Sequence, residues 1–221
     1  IGTYLCTAHV SAQIGGLSGS KISAMCVDVV DHKKVEFEPS FSYSSSSKFW
    51  NNQSQLKNSY TTENTSNSSS EFRFRATYGL WNKLEIGGSV STALSMTNLG
   101  VRYVISQDKR YGFAAIAGAN LPIKSGLNDR SNRTVENTSS AGFGLVFSAQ
   151  FNEDLSLDIN AQNLSYLKKI EELHKSSYYL NADLGYYLFA RQLQIVAGIG
   201  YQQSNYQDFK ETSLTLYPGI T

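Results

Sequence analysis

The sequence of 221 residues lacks a long hydrophobic run, an excess of either charge and, with three residues, much proline. No stretch approaches the ~18 uncharged apolar residues of a membrane helix, which excludes helical membrane proteins. The formal net charge of +1 gives no sign of nucleic-acid binding or of a polybasic membrane patch. Membrane-spanning strands remain possible, because they expose apolar residues only at every second position and score poorly on hydropathy.

The first residue is Ile1 rather than methionine, and residues 1–12 are typical of the end of a secretory signal peptide. An apolar stretch leads into a Val-Ser-Ala run that fits cleavage before Gln13. A buried first strand is the alternative. If residues 1–12 are removed, Cys26 is a single thiol; if they are retained, export into an oxidising compartment permits a bridge between Cys6 and Cys26. Neither cysteine has metal-type neighbours, so we expect no metal and no cofactor.

Residues 13–34 contain several glycines and serines and form a linker-like or plug-like segment. The segment could fray outside, pair as an extra strand, or fold back and occlude a lumen. The sequence does not choose among these.

The strongest pattern is the hairpin EFRFRATYGL-WNK-LEIGGSVSTAL at residues 71–94. Apolar and polar residues alternate strictly on both sides of its turn, which predicts strands with one apolar and one polar face. Similar alternation starts at Val35 and recurs about ten times, in stretches near the ten residues that a membrane strand requires. One stretch, Leu164 to Lys175, has a helical stripe and predicts a strand end followed by a short helix or structured loop.

The connections between these strands alternate in length. Long polar loops, such as Ser46–Ser70 and Lys124–Ser140, contrast with short turns at 81–83, 106–110, 152–154 and 189–191. A soluble β-sandwich is the alternative, but its strands are usually about five or six residues long and its loops lack this asymmetry. The pattern therefore predicts an all-β fold, a transmembrane antiparallel up-and-down β-barrel over residues 35–221, with about ten strands visible.

Aromatic residues cluster beside the short turns, as expected of a membrane interface. These interface candidates are Tyr78, Trp81, Tyr103, Tyr111, Phe151, Tyr187 and Phe189.

The segments VEFEPSFSYS, FRFRATYGLWNKLEIGGSVS, LGVRY and ANLPIKSG resemble the transporter-like outer-membrane family of the meta-pathway of phenol degradation. Thr92 replaces a proline that is common in this family, and an Ile-Lys-Ser run replaces the usual threonine before Gly126. The resemblance implies a barrel of roughly twelve strands that passes small solutes, hydrophobic ones among them. We therefore expect that the sequence is C-terminally truncated and that a last hairpin is missing.

Charges on the polar faces are the candidates for a lumen lining: Glu36, Glu38, Arg73, Arg75, Glu85, Arg102, Asp158 and Asp183. The two glutamates near the start of the barrel and the two arginines on the next strand predict cross-strand pairs. One interpretation is that these charges neutralise one another in a narrow lumen; the other is that they set the selectivity of a solute path.

No catalytic constellation is evident, and we expect no enzyme. His174 lies among charged residues and is interpreted as a solvated loop residue. Asp158 and Asp183 could pair only if their strands align them. Glycines within strands, as in Gly87-Gly88, indicate close packing or bends.

We therefore predict a barrel in the outer membrane of a Gram-negative bacterium, mediating passage of small solutes, hydrophobic or aromatic ones among them. Its expected partners are outer-membrane lipids, these solutes and, during biogenesis, the barrel-assembly machinery, but no nucleic acid. The alternative is a non-transporting surface barrel, an adhesin or scaffold, whose long loops bind a partner.

Overall fold

A computed structural model describes most of the chain. The described residues are 14–19, 21, 23–50, 55–58, 67–91, 96–123, 139–167, 175–190, 192–207 and 209–220. The predicted signal segment, Cys6, much of both long loops, and residues 168–174 of the predicted helix-like stretch from Leu164 to Lys175, His174 among them, lie outside them. The described chain is all-β, and it contains no helix long and apolar enough to span a membrane.

Twelve strands occur in the described residues, and ten of them form one antiparallel sheet. Their bounds are β1 Val35–Ser46, β2 Lys48–Trp50, β3 Leu56–Asn58, β4 Asn67–Trp81, β5 Leu84–Ser91, β6 Met96–Gln107, β7 Tyr111–Pro122, β8 Ser140–Gln150, β9 Leu155–Tyr166, β10 Ser176–Leu188, β11 Leu193–Asn205 and β12 Lys210–Ile220. In the sheet, β1 neighbours β4 and the others follow in chain order to β12, while β2 and β3 form a separate hairpin. This order confirms the predicted up-and-down arrangement.

Connections differ at the two ends of the sheet, as the sequence predicts. One end has the tight turns at 82–83, 108–110, 151–154 and 189–192, and the other has the longest connections, at 47–66 and 123–139. Side chains fix two of the tight turns. The Asp108 carboxylate accepts the N–H groups of Arg110 and Tyr111 at 2.7 and 2.8 Å, and these bonds lower the pKa of Asp108. Asn152 Oδ1 accepts two N–H groups in the same manner.

The two faces of the sheet differ in polarity. In β8, Phe143 and Leu145 are 68% and 61% exposed on one face, while Val146 is buried on the opposite face. In β10, Leu184 is exposed and Asp183 is fully buried. We call the face with exposed hydrophobic residues the outer face and the opposite one the inner face. A soluble sheet usually has the reverse arrangement, with its apolar face buried.

β1 and β12 are the edges of the sheet, and no ladder joins them in the described residues. Pro39, which has no backbone N–H to donate, lies in β1 at one of these edges. In both edge strands residues of both faces are mostly exposed, so the covered part of the inner face lies between them.

The sheet curls around the described residues between 14 and 34 (14–19, 21 and 23–34), which we call the N-terminal segment. Ser18 donates to Glu85 on β5, and five residues later Ser23 donates to Asp183 on β10. In a flat sheet five strand spacings would separate β5 from β10 by about 24 Å. This short stretch of chain bonds to both strands, and inner-face residues of the strands between them, such as Arg102, Ile116 and Asn160, are buried. We infer that the inner face is concave and that the N-terminal segment lies within the curve.

Candidate functional site: the inner face and the N-terminal segment

A buried ion pair on β5 and β6 holds three points of the N-terminal segment. Glu85 and Arg102 are direct cross-strand partners, form a salt bridge, and are both 0% exposed. Glu85 accepts Ser18 N–H at 3.1 Å, Ser18 Oγ–H at 2.6 Å and Val30 N–H at 2.9 Å. Arg102 donates to the Ser18 carbonyl at 2.7 Å and to the Cys26 carbonyl. The charges of Glu85 and Arg102 thus neutralise each other, and both side chains also hold the segment in place.

Two carboxylates form a second attachment point on β9 and β10. The register makes Asp158 and Asp183 direct cross-strand partners, an alignment that the sequence left open. Asp183 accepts Ser23 N–H, Ser23 Oγ–H and Ala24 N–H at 2.7, 2.6 and 2.8 Å. Asp158 lies 2.7 Å from Lys21 Nζ. Because like charges directly opposite each other are destabilising, the segment's cation and donors stabilise the facing pair.

Neutral side chains of the inner face bind the backbone of the segment. Gln162 Oε1 accepts Ile14 N–H at 2.9 Å, Asn160 Oδ1 accepts Met25 N–H at 3.1 Å, and Ser148 Oγ accepts Val27 N–H at 2.9 Å. These bonds replace the secondary structure that the segment lacks, since buried backbone groups require partners. None of these three wall residues is among the lumen-lining candidates predicted from the sequence, because alternation assigns a polar side chain to a face but does not identify its partner.

A small apolar core lies beneath this polar layer. Ile14, Leu17, Met25 and Val27 of the segment are buried against residues of the inner face. Their partners in this cluster are Val104, Ala114, Ile116, Val146, Leu164 and Tyr179. The segment is therefore packed as well as hydrogen-bonded.

Glycines of the inner face leave room for the segment's backbone. A Cβ at Gly87 would overlap the carbonyl oxygen of Gly16, and one at Gly79 would overlap that of Asp31. Other residues of the segment lie against Gly100, Gly112 and Gly118. The sequence indicated close packing at Gly87-Gly88, and the structure shows that Gly87 provides it for the segment.

The charges near β1 pair among themselves. Arg75 forms salt bridges with Glu36, at 2.9 Å, and with Glu38, which confirms cross-strand pairing for this arginine. Arg73 instead bonds Glu71 of its own strand at 2.9 Å. Glu71, Arg73 and Arg75 follow one another at intervals of two residues on β4 and therefore lie on the same face of that strand. This cluster belongs to β1 and β4, whereas the Asp158–Asp183 pair belongs to β9 and β10.

The aromatic residues predicted at a membrane interface lie around the tight-turn end. Six of the seven are exposed: Tyr78, Trp81, Tyr103, Tyr111, Phe151 and Phe189. Tyr187 is half-buried and lies on the same side of β10 as Asp183. Contact of these residues with a membrane stays a prediction.

Neither metal ligation nor a histidine base emerges from the described residues. No group of three His, Cys, Asp or Glu side chains there could hold a metal ion. His32 contacts the Leu80 carbonyl at 2.7 Å through Nδ1, where the segment leads into β1.

Cys26 lies in the N-terminal segment, and its environment there changes the pKa of its thiol. Burial raises the pKa of its thiol to about 12, although the nearby Arg102 acts in the opposite direction. The thiolate is the reactive form, so we expect Cys26 to react slowly while the segment is docked. Cys26 is a free thiol among the described residues, and Cys6 lies outside them.

A family model described as "Putative MetA-pathway of phenol degradation" matches residues 79–221, well over half of the chain. The chain belongs to this family. The match confirms the resemblance named from the sequence and runs from the end of β4 through β12. Membership indicates a role in the handling of aromatic compounds. Comparisons with curated proteins and with solved structures give no match.

Two adjacent glycines test how the segment is docked. Gly87→Ala places a Cβ against the Gly16 carbonyl, so we expect the segment to shift and Cys26 to be alkylated several-fold faster. Gly88→Ala is the matched control, because its Cβ meets the flexible Leu99 Cδ2 at 3.2 Å. Alkylation is followed by mass spectrometry of the peptide containing Cys26. Equal rates in the two variants would contradict the docking described here.

Removal of one partner of the buried ion pair tests its contribution to stability. Arg102→Met leaves Glu85 buried without its cation, and we expect a loss of about 3–5 kcal/mol in the free energy of unfolding. Glu85→Gln combined with Arg102→Met should recover part of that loss. Lys34→Met, which breaks the exposed pair with Asp31, is the control and should leave the denaturation midpoint unchanged. Guanidinium titration of each purified variant measures these effects; similar midpoints for Arg102→Met and Lys34→Met would contradict the expectation.

Proposed function

We propose that this protein is a β-barrel of the Gram-negative outer membrane and that its lumen passes small solutes, aromatic compounds among them. The observation that carries the proposal is the polarity of the sheet, which exposes large hydrophobic side chains outward and buries charged ones inward. Lipid-facing barrels alternate in this sense. Family membership supports the aromatic part of the proposal.

The exposed outer face is too apolar for water. Phe143, Leu145 and Leu216 are each more than 60% exposed, and comparable side chains recur on the other strands of the sheet. Soluble monomers rarely expose contiguous apolar patches larger than a few hundred Å². Lipid tails would cover the outer face without a second protein layer.

Strand length agrees with this environment. Nine of the ten sheet strands have 11 to 15 residues, and β5 has eight. A tilted strand needs about 9–11 residues to cross the hydrocarbon core. The extra residues would extend the strands beyond the membrane at the long-loop end.

Closure of the sheet between β1 and β12 is part of this proposal. Each of these strands has a ladder on one side only in the described chain, and unpaired backbone groups are costly in lipid. One additional hairpin would pair both edges and bring the sheet from ten strands to the twelve that the family resemblance implies.

The lumen would conduct solutes without converting them. The facing Asp158 and Asp183 are engaged by Lys21, Ser23 and Ala24, an arrangement that suits a docked segment rather than a general acid and base. The alternative of a partner-binding surface barrel stays a prediction, since most of its long loops lie outside the described residues.

Extraction and solute flux together test the proposed function. The protein, produced from its complete coding sequence, should fractionate with outer membranes and require detergent for solubility. Proteoliposomes should swell faster in isotonic phenylalanine than protein-free vesicles, and Gly87→Ala should swell faster than Gly88→Ala because its segment is displaced. A monomer that is stable in buffer without detergent would contradict the lipid-facing outer face.

A further inference from the structure

The N-terminal segment places an ammonium group at the Asp158–Asp183 pair. We propose that these two aspartates form a cation site in the lumen, that Lys21 is its tethered occupant, and that displacement of the segment leaves a path that prefers small cations. This inference rests on the proposed function, since it requires a lumen. It deepens that function by naming the class of solute that the path favours.

The site is built to accept an ammonium group. Lys21 Nζ lies 2.7 Å from Asp158 Oδ2, and the two side chains are 9% and 6% exposed. Gly185 on β10 lies beside the site, because a Cβ there would meet the Gln194 side chain first and would also stand 3.0 Å from Lys21 Cε. A lysine that only needed a counter-ion could find one at the surface without the cost of burial.

Displacement of the segment would change the charge of this part of the lumen. It removes Lys21 and the three donors of Ser23 and Ala24, whereas both aspartates remain on their strands. Glu85 keeps its compensation, because Arg102 belongs to the wall. In the described wall between β5 and β10, Glu85 then still has its salt bridge to Arg102, whereas the salt bridge of Asp158 to Lys21 is lost.

The neighbouring wall groups would complete an oxygen-rich site. Ser148 Oγ donates to Asp158 at 2.5 Å and accepts from Val27 of the segment. Asn160, next to Asp158 on the inner face of β9, accepts Met25 N–H through Oδ1. Displacement of the segment frees these oxygen atoms as well. Carboxylate, carbonyl and hydroxyl oxygens at close range bind cations such as an alkylammonium ion or K⁺ through charge and hydrogen bonding.

Wall charges of mixed sign would neutralise one another and give little selectivity, but here the neutralising cation at the aspartates comes from the segment. The docked state is therefore balanced, while the open state carries negative charge at one level of the lumen. Rings of acidic side chains favour cations in channels for the same electrostatic reason.

Reversal potentials in a KCl gradient across planar bilayers test the selectivity. The full-length Lys21→Met variant removes the tethered cation and should carry more current than the unaltered protein, with a reversal potential shifted toward that of K⁺. Asp158→Asn together with Asp183→Asn, on the Lys21→Met background, should retain current and lose the shift. Asp154→Asn, in the exposed turn before β9, is the matched control and should keep it.

A competition experiment on the unaltered protein needs no substitution. Methylammonium chloride, which reproduces the end of Lys21, should accelerate alkylation of Cys26 several-fold relative to tetramethylammonium chloride at the same ionic strength. The peptide containing Cys26 is again followed by mass spectrometry. In the Asp158→Asn variant the difference between the two salts should disappear.

The outcomes separate this inference from the proposed function. Current without cation preference in Lys21→Met, or a preference that survives both aspartate substitutions, overturns the cation site and leaves the pore. No current in Lys21→Met, with current in Gly87→Ala, overturns the role of Lys21 as occupant. Absence of current and of swelling in every variant contradicts the pore itself.

Discussion

The structure depends on the need to satisfy buried charge inside a sheet whose outside is apolar. Glu85, Asp158 and Asp183 are carboxylates with 4% exposure or less, and an isolated buried carboxylate is far too costly to persist. Only Glu85 has an arginine on the adjacent strand. The N-terminal segment provides Lys21 and several N–H and O–H donors for the rest. Sheet and segment are therefore a single electrostatic unit, although only the sheet has regular structure.

The same constraint explains why the segment has no strand or helix of its own. Its N–H groups bond to side chains on β5, β8, β9 and β10, so each stretch of backbone follows the position of its wall partner. Inner-face glycines permit this approach because a Cβ at Gly79 or Gly87 would overlap the segment's carbonyl oxygens. The wall thus fixes the path of the segment through both its polar side chains and the places where side chains are missing.

Periodicity predicted the strands, the tight turns and the direction of most inward charges, because those properties are local. It could not align Asp158 with Asp183, since their register depends on the geometry of the connection between β9 and β10. The position of Tyr187 beside a tight turn made it a membrane-interface candidate, whereas the alternation in β10 puts that residue on the side of Asp183. The docking of residues 14–34 depends on contacts between residues far apart in the sequence. Gly87, Asn160 and Gln162 indicate where the segment docks only once their face of the sheet and their partners in the segment are known.

The contacts of the segment are of a kind that water or a solute can replace. A hydrogen bond contributes about 0.5–1.5 kcal/mol net, because the unbound groups find other partners in solvent. Such bonds outnumber the buried apolar residues of the segment, which are mainly Ile14, Leu17, Met25 and Val27. A segment held mostly by polar contacts can be stable when docked. It can still be displaced, because water can replace its hydrogen bonds and ions can replace its charged groups. An apolar plug of equal size would have no such substitute, and its removal would expose hydrophobic surface to a wet lumen.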